Sequence, residues 1–394
     1  PGPVVVALAK DILDGDTGTP VIPKPAPPVI LGAEPAAVAS AATMIQSADH
    51  PIILAGEMIA FEDAYVELQS LAAATGAGVI TAYRQQDVFP NDHEAYFGQL
   101  TLNRLPYQKE AWEACDLVIN MGCRLDSATS ADYTLIRDDQ KMIMAYPDAA
   151  VFSQWQADVA MGANAKSAMT ALTEALANFT PPIERLAWRD AIHAEEAAFA
   201  EPGEITVQGD VDLAQVITTF QRLISDDAIL SCDAGTFGRW LHRYYRCNAP
   251  ASSFGPVSGA MGYGVPGAIG AACADPNRPV FAWVGDGGFL MTGQEAATIV
   301  QEQLAVTIIV CDNAGWGSIL VGQQKRFENW DFGTRLVSPD FAKLADGYGM
   351  AAFTVDKTAD FELALQGAMD HSGPALIHLK LDLRDVSPYA GSAR

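Results

Sequence analysis

The stretch that decides the fold runs from Val280-Phe281-Ala282-Trp283-Val284, through Gly285-Asp286-Gly287-Gly288, to Val306-Thr307-Ile308-Ile309-Val310-Cys311-Asp312-Asn313. Two short apolar runs, each ended by polar residues, flank a segment long enough for one helix, which predicts a strand–helix–strand unit. In a parallel sheet such a unit brings the residues that follow both strands to the same carboxyl edge. Asp286 and Asn313, 27 positions apart, are therefore expected to lie side by side.

Oxygen atoms dominate this expected site. A carboxylate, a carboxamide oxygen and a backbone carbonyl are ligands that suit Mg²⁺ or Ca²⁺. The glycines around Asp286 allow backbone N–H groups at a helix N-terminus to approach an anion. We interpret the unit as a site for a divalent cation that holds a diphosphate. The alternative is an acidic turn at a strand end beside an unrelated Asx-turn.

Working outward, further apolar runs alternate with helix-like segments along the chain, one of them over about 60–75. The runs are Pro51–Gly56, Gly78–Thr81, Asp116–Gly122, Met142–Tyr146, Ala228–Cys232 and Ala375–Leu379. Such alternation predicts an α/β fold with parallel sheets. We expect two three-layer domains, 29–180 and 181–394, separated at Pro181-Pro182. Residues 1–28 are interpreted as an unpartnered strand at Val4–Leu8 followed by a proline-rich linker.

Composition excludes some classes of function. The 394 residues include 24 Lys+Arg and 48 Asp+Glu, a net charge of −24. Such a surface repels phosphate backbones and anionic membranes, so we expect no nucleic-acid or membrane partner. No apolar run is long enough to span a bilayer. The six cysteines contain no CxxC pair, which favours free thiols in a reducing cytoplasm.

The Gly285–Asn313 pattern resembles the thiamine-diphosphate motif, in which Gly-Asp-Gly is followed after about 25 residues by Asn. Here 25 residues, Gly288 to Asp312, separate Gly287 from Asn313. The resemblance is closest to the acetolactate synthase-like branch. It implies thiamine diphosphate and Mg²⁺ as cofactors, with Asp286, Asn313 and the carbonyl of Gly315 as metal ligands. It also implies a Rossmann-like middle domain and a flavodoxin-like cofactor-binding domain.

Two further stretches agree with this family. Ser258–Gly270 resembles the segment that grips the aminopyrimidine ring, which makes Met261 the apolar wedge that bends the cofactor. Asp233–Phe237 matches the place where the diphosphate is held, with an N-cap role for Thr236 as an alternative. The resemblance thereby assigns cofactor contacts to Gly235, Thr236, Phe237, Gly259, Ala260, Met261, Gly285, Asp286, Gly287, Gly288, Asn313, Gly315, Trp316, Gly317, Ser318 and Ile319.

The middle domain of acetolactate synthases holds a non-redox FAD. Its Gly-x-Arg-x-Asp stretch is present as Gly122–Asp126, but the basic residue that usually follows is missing from Ser127–Ser130. FAD is therefore a doubtful expectation, and a structural ion pair of Arg124 with Asp126 or another neighbour is the alternative. We also expect Arg84 and Asp87 to pair structurally. We expect His242 and Arg243 to be solvated or at the core edge, with contact to the cofactor as the alternative.

This sequence departs from the family in two places. The Gln-Trp-Gln run of acetolactate synthases is replaced by Gly322-Gln323-Gln324, which favours a different substrate, although Ile319 would still lie near the reacting carbon. The chain begins within what resembles the last strand of the pyrimidine-binding domain, so the catalytic Glu is absent here. The resemblance then implies either a fragment of a longer chain or a second polypeptide that supplies this domain, in a homo-dimer or tetramer.

The expected reaction is attack of the cofactor on a 2-oxo acid, loss of carbon dioxide, and addition of the product carbanion to a second carbonyl. One alternative is simple decarboxylation, as in the benzoylformate or oxalyl type. Another is a non-catalytic chain that binds cofactor without the Glu. A nucleotide-binding oxidoreductase is a third, but its near-match, Gly262–Gly267, contains Pro266 and follows no strand.

Overall fold

The computed structural model describes residues 4–16, 18, 27, 29–101, 104–203, 205–327 and 330–389. Two compact units divide the chain, residues 1–30 and residues 31–394. Among the described residues, no helix has both the length and the apolarity that a bilayer crossing requires.

The first unit contains one helical turn, α1 (Lys10–Leu13). The strand predicted at Val4–Leu8 is wrong: these residues are not in a strand, and the Val5 side chain is 91% exposed. The physical reason is that a strand needs hydrogen bonds from a neighbouring strand, and no strand in the described part of the chain pairs with this run. Most of the predicted proline-rich linker (17, 19–26 and 28) lies outside the described residues.

The second unit contains two six-stranded sheets, and all strand pairs in both are parallel. The first sheet has the order β3-β2-β1-β4-β5-β6, typical of a Rossmann fold. Its strands are β1 (Pro51–Ala55), β2 (Gly78–Thr81), β3 (Tyr96–Gln99), β4 (Leu117–Met121), β5 (Lys141–Ala145) and β6 (Val159–Met161). Its helices are α2 (Pro35–Ser47), α3 (Met58–Phe61), α4 (Tyr65–Thr75), α5 (Pro106–Ala114), α6 (Ala165–Ala175) and α7 (Ile183–Ala200).

The second sheet has the order β11-β12-β10-β9-β7-β8. Its strands are β7 (Ile229–Cys232), β8 (Ser253–Phe254), β9 (Val280–Gly285), β10 (Val306–Asp312), β11 (Ala351–Val355) and β12 (Ala375–Lys380). Its helices are α8 (Leu213–Leu223), α9 (Phe237–Tyr244), α10 (Gly264–Ala274), α11 (Asp286–Thr292), α12 (Ala296–Gln301), α13 (Gly317–Arg326), α14 (Phe341–Tyr348) and α15 (Phe361–Asp370). The predicted α/β class and both parallel sheets are confirmed.

Alternating side chains of the second sheet enter two different apolar cores. Ile309 and Cys311 of β10 pack into one core with Phe220 of α8, while Ile308 and Val310 face the other. This period of two is what a strand buried on both faces requires, and it explains why the run is apolar at almost every position. The strands β7, β9 and β10 lie at the centre of this sheet, between the two cores, and the expected site lies at their carboxyl ends.

Local signals explain where the helices begin and end. Glu34 Oε2 accepts a hydrogen bond from the Ala37 backbone N–H at 2.8 Å, and Pro35 occupies the first turn of α2. The predicted single helix over 60–75 is instead two, α3 and α4, because the chain breaks at Asp63, whose φ is +50°. The second of these helices ends at Gly76 with φ +65°, a left-handed cap that glycine adopts without strain.

Candidate functional site

The candidate site lies at the carboxyl edge of the second sheet, where the strand order reverses. From β7 the chain proceeds to β8 on one side and then crosses to β9 on the other, and both strands pair with β7. Ligands of open α/β sheets bind at such a switch point. Asp233–Thr236 follow β7, Asp286 follows β9 and Asn313 follows β10, so the predicted residues converge at this edge.

A cavity of about 360 Å³ opens here. Of the residues assigned to cofactor contact, all line this cavity except Ala260, Gly287 and Gly288. Met261 is 36% exposed and Ile319 is 56% exposed, so both predicted wall residues reach its open side. The sequence-based set is therefore a spatial cluster, although its role toward a cofactor stays a prediction.

Asp286 and Asn313 both line this cavity. The Asp286 carboxylate accepts the backbone N–H of Gly287 at 2.7 Å and that of Gly315 at 3.0 Å. Burial raises the pKa of Asp286 to about 6, and the nearby negative charge of Asp312 adds to this effect. Within the described chain, the buried Oδ1 of Asn313 has no hydrogen-bond partner. An unpaired buried oxygen and a carboxylate in residues of one cavity fit a hard divalent cation.

Close approaches of backbone and side chains shape the walls around these ligands. A Cβ atom at Gly317 would lie 3.1 Å from Thr236 Oγ1 and 3.4 Å from Asn313 Nδ2. Because Gly317 has no side chain, the start of α13 can approach both side chains and the space between them stays open. Gly287 does not line the cavity because its backbone packs under the Trp316 ring, which a Cβ atom would meet at 2.3 Å.

Asp233 holds the glycine-rich loop that carries Met261, a role that the sequence analysis did not assign. Its buried carboxylate accepts backbone N–H groups from Gly262 at 3.0 Å and Tyr263 at 3.3 Å, and from its own neighbour Ala234 at 2.6 Å. Burial raises the pKa of Asp233 despite these hydrogen bonds. Because one side chain ties the end of β7 to the loop before α10, it fixes where Met261 enters the cavity.

Several cavity residues were missed from the sequence. They are Tyr83, Arg84, Thr101, Leu213, Arg239, Asp382, Asp385 and Tyr389. Asp382 and Asp385 follow β12, next to β10, so the rule that ligands bind at carboxyl ends could have found them. Tyr83, Arg84 and Thr101 come from the loops after β2 and β3 of the other sheet, and no local pattern marks them.

Three minor predictions have definite outcomes. The expected Arg84–Asp87 pair is wrong: Arg84 Nη1 donates to the Cys232 carbonyl at 3.3 Å, while the Asp87 carboxylate accepts backbone N–H groups elsewhere. Arg243 is buried rather than solvated, at 6% exposed, and its Nε donates to the carbonyl of Phe199 at 2.8 Å. His242, in contrast, lines the cavity.

The carboxyl edge of the first sheet contains an ion pair. Arg124 Nε lies 2.9 Å from Glu57 Oε1, and the Tyr146 hydroxyl donates to the same oxygen at 3.0 Å. The predicted pairing of Arg124 with a neighbour is confirmed, with Glu57 as the partner. The Glu57 carboxylate already compensates the charge of this arginine, and FAD stays a doubtful prediction.

Fold and site together define an α/β protein with a ligand cavity at a switch point, lined by Asp286 and Asn313 among others. Comparison with known families gives the same class. The model for the central domain of thiamine pyrophosphate enzymes matches residues 38–172, and that for the C-terminal TPP-binding domain matches residues 233–379. The chain belongs to the thiamine pyrophosphate enzymes.

Similar curated proteins point to one branch of this family. A probable acetolactate synthase large subunit of Methanocaldococcus jannaschii is 28% identical over 408 aligned residues, covering 98% of this chain and 68% of that protein. The acetolactate synthase large subunit of Porphyra purpurea is 27% identical, covering 96% and 65%. Sulfoacetaldehyde acetyltransferase of Alcaligenes xylosoxydans xylosoxydans is 29% identical, covering 94% and 66%. The chain spans about two thirds of the length of these relatives.

Proposed function

We propose that this chain is the cofactor-binding part of a Mg²⁺- and thiamine-diphosphate-dependent enzyme of the acetolactate synthase type, which acts on a 2-oxo acid. The single observation that carries this proposal is that Asp286 lines the same cavity as Asn313, whose buried Oδ1 has no hydrogen-bond partner within the described chain. Oxygen ligands of this kind bind Mg²⁺, which in turn holds phosphate groups.

Each part of the cavity has a proposed task. Asp286, Asn313 and the Gly315 carbonyl bind the cation, and Thr236 at the start of α9 hydrogen-bonds the diphosphate. When bound, thiamine diphosphate supplies a nucleophilic carbon and takes up the electron pair left by decarboxylation. Met261, placed by Asp233, supports the bent shape of the cofactor, and Ile319 forms the apolar wall beside the reacting carbon.

The names of the relatives support the type of substrate. They describe an acetolactate synthase and a sulfoacetaldehyde acetyltransferase. Each name denotes an anionic compound, a carboxylate in the first and a sulfonate in the second. We propose a carboligase or acyl-transferring reaction of the same kind for this chain, with simple decarboxylation as the second candidate.

We further propose that another polypeptide surface covers the open side of the cavity. Large apolar side chains around it are exposed, including Met261, Tyr263 and Ile319. Leu290 and Met291, which lie on α11 a few residues after Asp286, are exposed as well. Exposed apolar patches of this kind are typical of interfaces. A homo-dimer or tetramer, or a separate pyrimidine-binding subunit, would cover them.

Calorimetric titration of the chain with thiamine diphosphate tests the cofactor assignment. We expect binding that requires Mg²⁺ and is lost in EDTA. Asp286→Ala should weaken it by at least about 100-fold, because one charged metal ligand is removed. Asp346→Ala, which removes an exposed acid on α14, is the matched control and should bind like the parent chain. A folded Asp286→Ala variant with unchanged affinity would contradict the proposal.

A further inference from the structure

One wall of the cavity carries uncompensated positive charge. Arg84 and Arg239 both line it, and in the described residues no carboxylate oxygen lies within ion-pair distance of either guanidinium. Arg84 Nε is buried without a hydrogen-bond partner, and its Nη1 makes only a 3.3 Å contact with the Cys232 carbonyl. In a chain with a net charge of −24, two unpaired arginines in one cavity require an explanation.

The backbone and its surroundings fix the position of Arg84. Its φ is +61°, in the left-handed region that residues other than glycine rarely adopt. Its guanidinium lies over the Tyr83 ring, 5.4 Å from the centroid, and a Cβ atom at Gly255 would meet Nη1 at 2.3 Å. Residues held in such a conformation are over-determined by their environment and concentrate at functional sites.

Both arginines act on the same part of the cavity. Burial lowers the pKa of His242 to about 3, and the positive charges of Arg84 and Arg239 contribute to this shift. His242 is therefore neutral and adds no third charge. The acidic groups nearby are engaged elsewhere: Asp382 pairs with Arg384 at 2.5 Å, and Asp385 accepts the backbone N–H groups of Gln208 and Gly209. An anion that enters this part of the cavity meets two guanidinium groups that no carboxylate of the described residues pairs with.

We propose that Arg84 and Arg239 form the subsite that binds the oxyanion of the substrate, a carboxylate or a sulfonate. This inference rests on the proposed function, which places the cofactor beside Asp286 and Asn313 in the same cavity. Guanidinium groups bind planar or tetrahedral oxyanions through paired N–H donors, whereas an ammonium group acts only as a point charge. The subsite would orient the substrate carbonyl and exclude uncharged analogues.

The experiment uses the whole chain with ¹³C-labelled histidine. Only six histidines are present, so the His242 ring resonance can be assigned with a His242→Gln variant. We expect pyruvate and methanesulfonate to shift this resonance saturably and acetone to leave it unmoved. Arg84→Gln and Arg239→Gln should each weaken anion binding by about tenfold or more. Arg84→Lys should retain part of the affinity.

The control is Arg222→Gln, which removes an exposed arginine paired with Glu362 and should bind anions like the parent. Arg84→Gly, which suits the positive φ, covers the case in which the Gln variant fails to fold. Unchanged anion affinity in both arginine variants would overturn the proposal. The proposal would also be overturned if the Arg84 and Arg239 variants bound Mg²⁺–thiamine diphosphate as much more weakly as they bind the anions. The arginines would then bind the cofactor diphosphate. Failure of the proposed function itself would appear separately, as a parent chain that does not bind Mg²⁺–thiamine diphosphate or as cofactor affinity that Asp286→Ala leaves unchanged.

Discussion

Asp87 is a buried acid whose ionisation we predict to destabilise the fold. It lies in the short 3₁₀ turn Gln86–Val88 after β2 and is 8% exposed. Its Oδ2 accepts the backbone N–H groups of Ser252 at 3.0 Å and Ser253 at 3.2 Å, at the junction of the two sheets. Burial raises the pKa of Asp87 from 3.8 to about 6, and the two hydrogen bonds and the more weakly acting Arg278 offset only part of that rise.

The sign and size of the effect follow from this shift. Because the folded state binds the proton more tightly, the free energy of unfolding falls as pH rises from about 4 to about 6. A rise of about two pKa units corresponds to about 3 kcal/mol. Below pH 4 both states are protonated and the penalty is absent; above pH 6 it is fully present. Asp87→Asn keeps one oxygen acceptor for both N–H groups and cannot ionise.

The assay is urea unfolding between pH 4 and pH 8, followed by tryptophan fluorescence. We expect the stability of Asp87→Asn relative to the parent to increase by about 3 kcal/mol from the acidic to the neutral end. Asp346→Asn, which replaces an exposed acid on α14, should give a curve parallel to that of the parent. Parallel curves for Asp87→Asn and the parent would refute the reasoning, because the carboxylate would then ionise equally well in both states.

At two other buried charged residues we predict that substitution destabilises the fold. Urea unfolding at neutral pH checks both predictions. Arg185 is 2% exposed and donates to the carbonyls of Thr75 at 2.6 Å and Ile45 at 3.0 Å. Arg185→Met leaves these helix-end acceptors without a donor and should destabilise the fold by about 3 kcal/mol; a loss below about 1 kcal/mol would mean that water replaces the donor. Glu196→Gln leaves Arg246, whose Nη1 lies 2.7 Å from the Glu196 carboxylate, without its buried partner. We expect a cost of about 3–5 kcal/mol, and a neutral result would mean that the exposed Asp92 alone compensates the guanidinium.

The strands that the sequence predicted and those it missed differ by position in the sheets. Within the described residues, every strand with neighbours on both sides was predicted, and the four missed strands are all edges: β3, β6, β8 and β11. A central parallel strand such as β10 (Val306–Asp312) is buried along its whole length and forms a nearly continuous apolar run. An edge strand such as β11 (Ala351–Val355) is only half-buried and carries a weaker signal.

In the site, the predictable residues are those placed by a local unit of the chain, and the missed ones are placed by long-range packing. Asp286 and Asn313 were predictable because strand, helix and strand fix their relation within one local unit. Arg84 lies 148 positions from Cys232, whose carbonyl it contacts, so only the packing of two separate sheets brings it there. No sequence rule anticipates an arginine with φ +61° either, because this conformation is favoured by glycine. The charge of this cavity therefore depends on the junction between the sheets. We therefore expect a change at that junction to displace Arg84 while leaving Asp286 and Asn313, which follow strands of the second sheet, in place.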